Sequence, residues 1–154
     1  MSNATTNTST ANAELALPWR DLWNGDLTIT DGIIAEDFVA HAAPLTGTGD
    51  DEIHGRDALN QWVSGINTLL PDLNFTIEVG PISTDEYMIL RWKARGHYAG
   101  GFPGTSPDAV GREISFTGTD TLRIENGKLA EYWANADSLL FFQQLGVAEV
   151  PALA

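Results

Sequence analysis

From Glu14 onward the hydrophobic positions recur with a helical period. Leu15, Trp19, Leu22 and Trp23 share one face, and Asn24-Gly25 supplies a stop. Pro18 falls in the first turn, where its missing N–H costs little. Residues 26–35 predict a second short helix with Leu27, Ile33 and Ile34 turned inward. Phe38 and Val39 then lead into a Gly/Pro/Thr-rich loop over 44–55. A third helix follows, with Leu59, Trp62, Val63, Ile66, Leu69 and Leu70 on one face, and Pro71 ends it. Beyond Pro71 the period becomes two: Leu73, Phe75, Ile77 and Val79 alternate with Asn74, Thr76 and Glu78. A second strand is expected over 87–98, with Met88, Leu90, Trp92 and Ala94 on one face. The loop 100–111 is long enough to suggest work at a pocket mouth. A third strand, 113–124, ends at Asn126-Gly127, a strong hairpin signal, and a fourth returns antiparallel over 128–136. Asp137-Ser138 opens a final helix, 139–145, stopped by Gly146.

Helices first and an antiparallel sheet afterwards predict an α+β domain. One sheet cannot bury both faces on itself. The three N-terminal helices must therefore cover one face and enclose a core or cavity, while the other face, carrying Arg91, Lys93, Thr119 and Thr121, is solvated or meets another subunit. Residues 1–13, MSNATTNTSTANA, have no charged side chain and almost no bulky apolar group, so they read as a mobile tail ahead of a domain spanning 14–150.

Composition narrows the chemistry. The 154 residues include 21 Asp plus Glu against 8 Lys plus Arg, a formal charge of −13. That balance argues against nucleic acid, which needs a basic stripe, and against anionic membrane. There is no cysteine, so thiolate chemistry and disulfides are excluded. No stretch has the length of a membrane span and no signal-peptide pattern opens the chain, so the expectation is a cytoplasmic protein. His41, His54 and His97 form no metal-ligand spacing, neither nucleotide-binding glycine motif occurs, and G-x-S-x-G is missing. Neither metal nor cofactor is expected.

The third strand is the most informative. Phe116, Gly118, Asp120, Leu122 and Ile124 share one face, and only Asp120 among them is charged. A carboxylate among apolar neighbours loses solvation, and its pKa rises toward the range useful for general acid or base work. The alternative is a structural Asp satisfied by backbone or by a Tyr or Trp donor. Asp137 is a second candidate, although helix capping alone would select it there. His41, placed just after the first helices, is a candidate for substrate contact or proton transfer; His54 and His97 are weaker ones. Trp19, Trp23, Trp62 and Trp92 fall on inner faces, where core filling competes with a pocket role. Trp92, beside Met88 and Leu90, is the best placed to wall a cavity. Tyr132 sits among Ala130, Ala134 and Ala136, small residues that leave room for a ligand. Asn135 could supply a neutral hydrogen bond, and Phe102 and Trp62 could help shape the pocket.

The order of elements and the phrases DFVAH (37–41), IHGRDAL (53–59), LPDLNF (70–75), RWKARGHYAGGFPG (91–104), RIENGKLAEYW (123–133) and DSLLFFQQLG (137–146) resemble the SnoaL-like polyketide cyclase or ester cyclase branch of the NTF2-like superfamily. The closing phrase, Trp133, Asp137, Gln144 and Gly146, is the most specific part. The resemblance implies a cone: a strongly curved antiparallel sheet closed by three helices, an apolar pocket inside, and frequently a homodimer through the sheet. It also implies cofactor-free aldol ring closure by a pocket acid/base. Aligned on the Asn-Gly-Lys hairpin, Asp120 falls where such cyclases carry a pocket histidine and limonene-type epoxide hydrolases a carboxylate. The aspartate shared on the following strand falls on Ala134. Alanine transfers no proton, which leaves a one-carboxylate mechanism, a role for His41 with Asp120, or a binding protein without chemistry.

The leading expectation is therefore a cofactor-free cyclase or isomerase acting by proton transfer on a small, mostly apolar carbonyl compound. Asp120, His41 and Asp137 are its candidate catalytic residues. Non-catalytic binding of an apolar ligand is the alternative, with limonene-type epoxide hydrolysis behind it.

Overall fold

The computed structural model describes residues 2–43, 49 and 51–147. Its centre is a six-stranded curved sheet in the order β2-β1-β6-β5-β4-β3. The strands are β1 (Ile34–His41), β2 (Glu52–His54), β3 (Asn74–Ser83), β4 (Tyr87–His97), β5 (Glu113–Glu125) and β6 (Lys128–Ala136). The helices are α1 (Ser2–Ala13), α2 (Ala16–Trp23), α3 (Thr30–Ile33), α4 (Gly55–Leu69) and α5 (Ser138–Gln144). This is the α+β, NTF2-like cone.

The period-two reading locates the sheet. On β4, Met88, Leu90, Trp92 and Ala94 are buried while Ile89, Arg91 and Arg95 are exposed. On β5, Phe116, Asp120, Leu122 and Ile124 are buried. Asn126 and Gly127 have φ of 51° and 74°, the left-handed pair that a type I′ turn requires, so β5 and β6 form a tight hairpin, whose register shifts by one residue between Arg123 and Ile124. Asp120 lies opposite Leu90 on β4 and Ala134 on β6.

The N-terminal half departs from expectation in three places. Residues read as a mobile tail form α1. Asn12 Nδ2 donates to the Thr84 and Asp85 carbonyls (2.9 and 3.1 Å), and Ser9 exchanges hydrogen bonds with Ser83. Polar side chains bonded to the β3–β4 turn anchor this segment, a contribution that counting apolar residues misses. The helix expected over 26–35 shrinks to a 3-10 turn at Leu27–Ile29 followed by α3. The β-branched pair Ile33-Ile34 stiffens the chain, and Ile34 begins β1, which runs parallel to β6. His41 consequently lies on a strand rather than in a chain entering a cavity. Of the loop expected over 44–55, residues 52–54 form β2, antiparallel to β1; residues 44–48 and 50 lie outside the described residues, as do 148–150 at the domain's expected end.

α5 closes the far end. Gln144 Oε1 accepts from Ser115 N at 2.7 Å and Gln144 Nε2 donates to Ser115 O at 2.8 Å, so one side-chain amide pairs with β5 as a strand would. Arg112 Nη1 donates to the Gln144 carbonyl. Leu145 is buried, whereas Leu139 and Leu140 are exposed. No helix among the described residues is long and apolar enough to cross a membrane.

Candidate active site

Between the helices and the concave face lies a cavity of about 630 Å³. Its walls are chiefly aromatic and aliphatic: Trp19 and Trp23 from α2, Trp62 and Ile66 from α4, Phe75, Leu90, Trp92 and Phe116 from the sheet, and Phe141 and Phe142 from α5. Phe102, on the loop after β4, packs against Phe142 with ring centroids 5.3 Å apart. That loop is folded onto Tyr98, whose hydroxyl accepts from Phe102 N and bonds the Thr105 hydroxyl.

Asp120 is the charged side chain in the wall of this cavity that β5 supplies, and it is 3% exposed. Three donors converge on it. Trp19 Nε1 donates to Oδ2 at 2.8 Å, Trp92 Nε1 to Oδ1 at 2.9 Å, and the Tyr132 hydroxyl to Oδ1 at 2.7 Å. Each donor reaches the carboxylate from a different element: α2, β4 and β6. Burial pushes the Asp120 carboxyl above its ordinary value, and the three hydrogen bonds offset only part of that rise. Tyr132 is pushed well above its ordinary value by burial and by the carboxylate beside it, so its proton stays on the hydroxyl as a donor. Oδ2 accepts only one bond, which leaves a position on that oxygen for a proton.

Gly118 makes the Trp92 bond possible. It pairs with Trp92 across the β4–β5 ladder, and a Cβ on it would lie 2.3 Å from Trp92 Cζ2 and 2.6 Å from the Asn135 carbonyl oxygen. The indole occupies the volume that any larger residue would fill, and from there its N–H reaches Asp120.

Other expected site residues divide sharply. Trp62, Phe102, Tyr132 and Asn135 line the cavity with Trp92. Met88 does not; it is fully buried in the core beneath β4. His41 is outside the cavity as well. Its Nε2 bonds Glu131 Oε1 at 2.8 Å and its ring stacks on Trp133 at 5.4 Å, so strand alternation carries it to the opposite face from Asp120. Asp137 is exposed: it accepts from Thr117 Oγ1 at 2.6 Å and makes no side-chain cap to α5, although its backbone stands at the N-cap position. His54 pairs with Glu52. His97 pairs with Asp72 at 2.6 Å, a hydrogen bond that raises the imidazole's pKa; the His97 backbone N–H, followed by that side-chain bond, lowers Asp72's. No group of three or more His, Asp or Glu side chains that could hold a metal converges among the described residues.

Sequence reasoning named Asp120 and Tyr132, left Trp19 between core filling and a pocket role, and gave Gly118 no role. A glycine inside an otherwise bulky strand face is itself the signal of close approach by another group.

The family model for SnoaL-like polyketide cyclases matches residues 13–145. The chain belongs to this family. A search of curated proteins finds no significant match. Among solved structures, IdmH of Streptomyces antibioticus, itself a candidate polyketide cyclase, is 26% identical, with a TM-score of 0.72 over 88% of this chain and 99% of that one. TsrD of Streptomyces laurentii is 21% identical, with a TM-score of 0.73 over 90% of this chain and 97% of that one. The phenazine biosynthesis-related protein PhzB2 of Pseudomonas aeruginosa is 16% identical, with a TM-score of 0.75 over 97% of this chain and 93% of that one. The last two likenesses speak to the fold alone. Membership places this SnoaL-like protein, in general terms, among cofactor-free cyclases and isomerases.

Proposed function

We propose that this SnoaL-like protein is a cofactor-free cyclase or isomerase that moves a proton on a small, mostly apolar carbonyl compound, with Asp120 as the acid/base. The observation that carries the reading is Asp120, the one buried carboxylate among the described residues, raised in pKa and held by two indoles and a phenol in the wall of an aromatic cavity. Asp120 removes a proton from the carbon next to a carbonyl and leaves an enolate. In a cyclisation that carbon attacks a second carbonyl of the same molecule, and Asp120 returns the proton to the new alkoxide. In an isomerisation it returns the proton to a different carbon. The cavity walls fold the substrate and exclude water. A homodimer through the outer sheet face is part of the proposal, supported by the exposed Val79, Ile82, Tyr87 and Ile89.

The test is hydrogen–deuterium exchange at the α-carbon of aryl ketone probes in D₂O, followed by NMR. Wild type is expected to accelerate exchange, and Asp120→Asn to lose about 100-fold or more while retaining the probe. No acceleration by wild type, or acceleration that survives Asp120→Asn, overturns the reading.

Non-catalytic binding of an apolar ligand is the second reading. It is favoured by Ala134, which stands directly opposite Asp120 and has no titratable group to share in proton transfer. Tight probe binding without exchange would support it. The Asp–Arg–Asp arrangement of an epoxide hydrolase finds no support: the donors on Asp120 are two indoles and a phenol, and Arg20, in the cavity wall, is bonded to Asp21.

A further inference from the structure

The three donors on Asp120 are divided unequally between its two oxygens. Oδ1 accepts from Trp92 Nε1 at 2.9 Å and from the Tyr132 hydroxyl at 2.7 Å, whereas Oδ2 accepts from Trp19 Nε1 alone, at 2.8 Å. Each carboxylate oxygen offers two lone-pair positions, so Oδ1 is filled and Oδ2 has one open. A proton on Oδ2 weakens one charge-assisted bond; a proton on Oδ1 would have to displace a donor. The two oxygens are therefore chemically distinct.

Trp19 holds its oxygen differently from the other donors. Trp92 and Tyr132 belong to the same sheet as Asp120, while Trp19 reaches down from α2. It is 1% exposed, and its ring is wedged edge-on against Trp23 and Tyr132, with centroids 5.7 and 5.0 Å away. The last torsion of an Asp side chain is soft, so the direction of Oδ2 depends on the one N–H that bonds it. Trp19 is also part of the cavity wall, as Asp120 is. The residue that fixes Oδ2 thus belongs to the surface against which a ligand lies.

We propose that Oδ2 is the oxygen of Asp120 that takes and returns the substrate's proton, and that Trp19 is the positioning residue that aims it. Deprotonation forms the Oδ2–H bond and breaks the substrate's C–H bond, whose electron pair stays in the enolate. Reprotonation moves the same proton from Oδ2 to the new alkoxide or to a different carbon. Trp92 and Tyr132 keep Oδ1 in place through both steps. This inference rests on the reading of Asp120 as the acid/base. Two other titratable or charged side chains line the cavity with it: Tyr132, which keeps its proton, and Arg20, which is paired with Asp21. The acidic limb of an exchange profile therefore belongs to Asp120.

The test replaces Trp19, and in a second protein Trp92, by 3-benzothienylalanine, which keeps the double ring and lacks the N–H. Exchange at the α-carbon of 1-tetralone in D₂O is followed across pH. Either replacement removes a donor from the carboxylate and should move the acidic limb upward by about one pH unit. A stronger base removes protons faster, so donors that acted on the pKa alone would leave both plateau rates at or above that of wild type. The Trp19 replacement is expected instead to lose about ten-fold or more on the plateau, with KM within about two-fold of wild type. The Trp92 replacement leaves a donor on each oxygen and should keep its plateau within about three-fold. A measurement on wild type needs no replacement: as Asp120 takes its proton, the Trp19 indole N–H should move upfield further than that of Trp92. Those resonances are assigned by their loss in the two replaced proteins. A plateau retained without the Trp19 N–H, equal losses in both proteins, or a larger shift at Trp92 overturns the proposal. No exchange by wild type removes the acid/base reading and this inference together, whereas exchange that needs Asp120 but is indifferent to the Trp19 N–H removes this inference alone.

Discussion

Gly118→Ala separates two opposed physical expectations. The glycine has an ordinary backbone conformation, so alanine should stabilise by about 0.4–1 kcal/mol through the unfolded chain. Against this, the added Cβ would sit 2.3 Å from Trp92 Cζ2 and 2.8 Å from Cε2. Contact carbons settle near 3.5 Å, so the indole must retreat by about 1 Å. Trp92 Nε1 is 2.9 Å from Asp120 Oδ1, and such a retreat takes it out of hydrogen-bond range. Losing a hydrogen bond to a charged group costs about 1.5–3 kcal/mol. Overpacking adds about 1–3 kcal/mol. The net expectation is a loss of about 2–5 kcal/mol, or about 5–15 °C in Tm for a domain of this size. Urea denaturation gives the first number, and the loss of hydrogen-exchange protection at the Trp92 indole identifies its origin. Removing a donor from the carboxylate should also raise the Asp120 pKa further. A Gly118→Ala protein as stable as wild type, with the Trp92 N–H still protected, would refute the account of the site.

Further outcomes follow from the same geometry. Tyr132→Phe should cost about 1.5–3 kcal/mol and shift the acidic limb of any exchange pH profile upward, because the carboxylate loses its phenol donor. Asp120's folded pKa lies above its unfolded value of 3.8, so the native chain holds that proton more tightly. Wild type should therefore lose stability relative to Asp120→Asn as pH rises from that value through the folded pKa, then level off; denaturation at stepped pH checks the sign, and a constant difference would contradict it. His41→Gln should leave α-carbon exchange within about two-fold of wild type and cost less than about 1 kcal/mol, since the half-buried His41–Glu131 pair lies on the outer face. A larger loss of exchange would return His41 to the chemistry.

The C-terminal half was readable because its signal is local. Strand alternation put Asp120, Trp92 and Tyr132 on one face and Asn126-Gly127 marked the hairpin, while a one-residue register shift between Arg123 and Ile124 sets Ala134 opposite Asp120. The N-terminal half was less readable because tertiary pairing overrides local pattern there. Residues 34–41 become a strand through pairing with β6 and β2, and that pairing turned His41 away from the cavity. α1 depends on polar contacts with a turn more than 70 residues away in sequence. Asp137 was legible as a helix start, but its carboxylate turned toward Thr117 for reasons a linear pattern does not carry. Trp19 and Trp23 stand four residues apart on one helix and both are buried; that one N–H is bonded and the other orphaned emerges only from the packed site.

The way α5 is attached separates two properties that a protein usually changes together. Its Phe141 and Phe142 form one end of the cavity, yet no residue of the helix itself is fully buried, and the Gln144 amide on Ser115 is its principal polar clasp to the sheet. The donors on Asp120 come from α2, β4 and β6, none of them from α5. The closing segment is thus an interchangeable end-piece. Mutation there can lengthen or shorten the chamber, and with it the range of guests admitted, while the carboxylate and its donors remain in place.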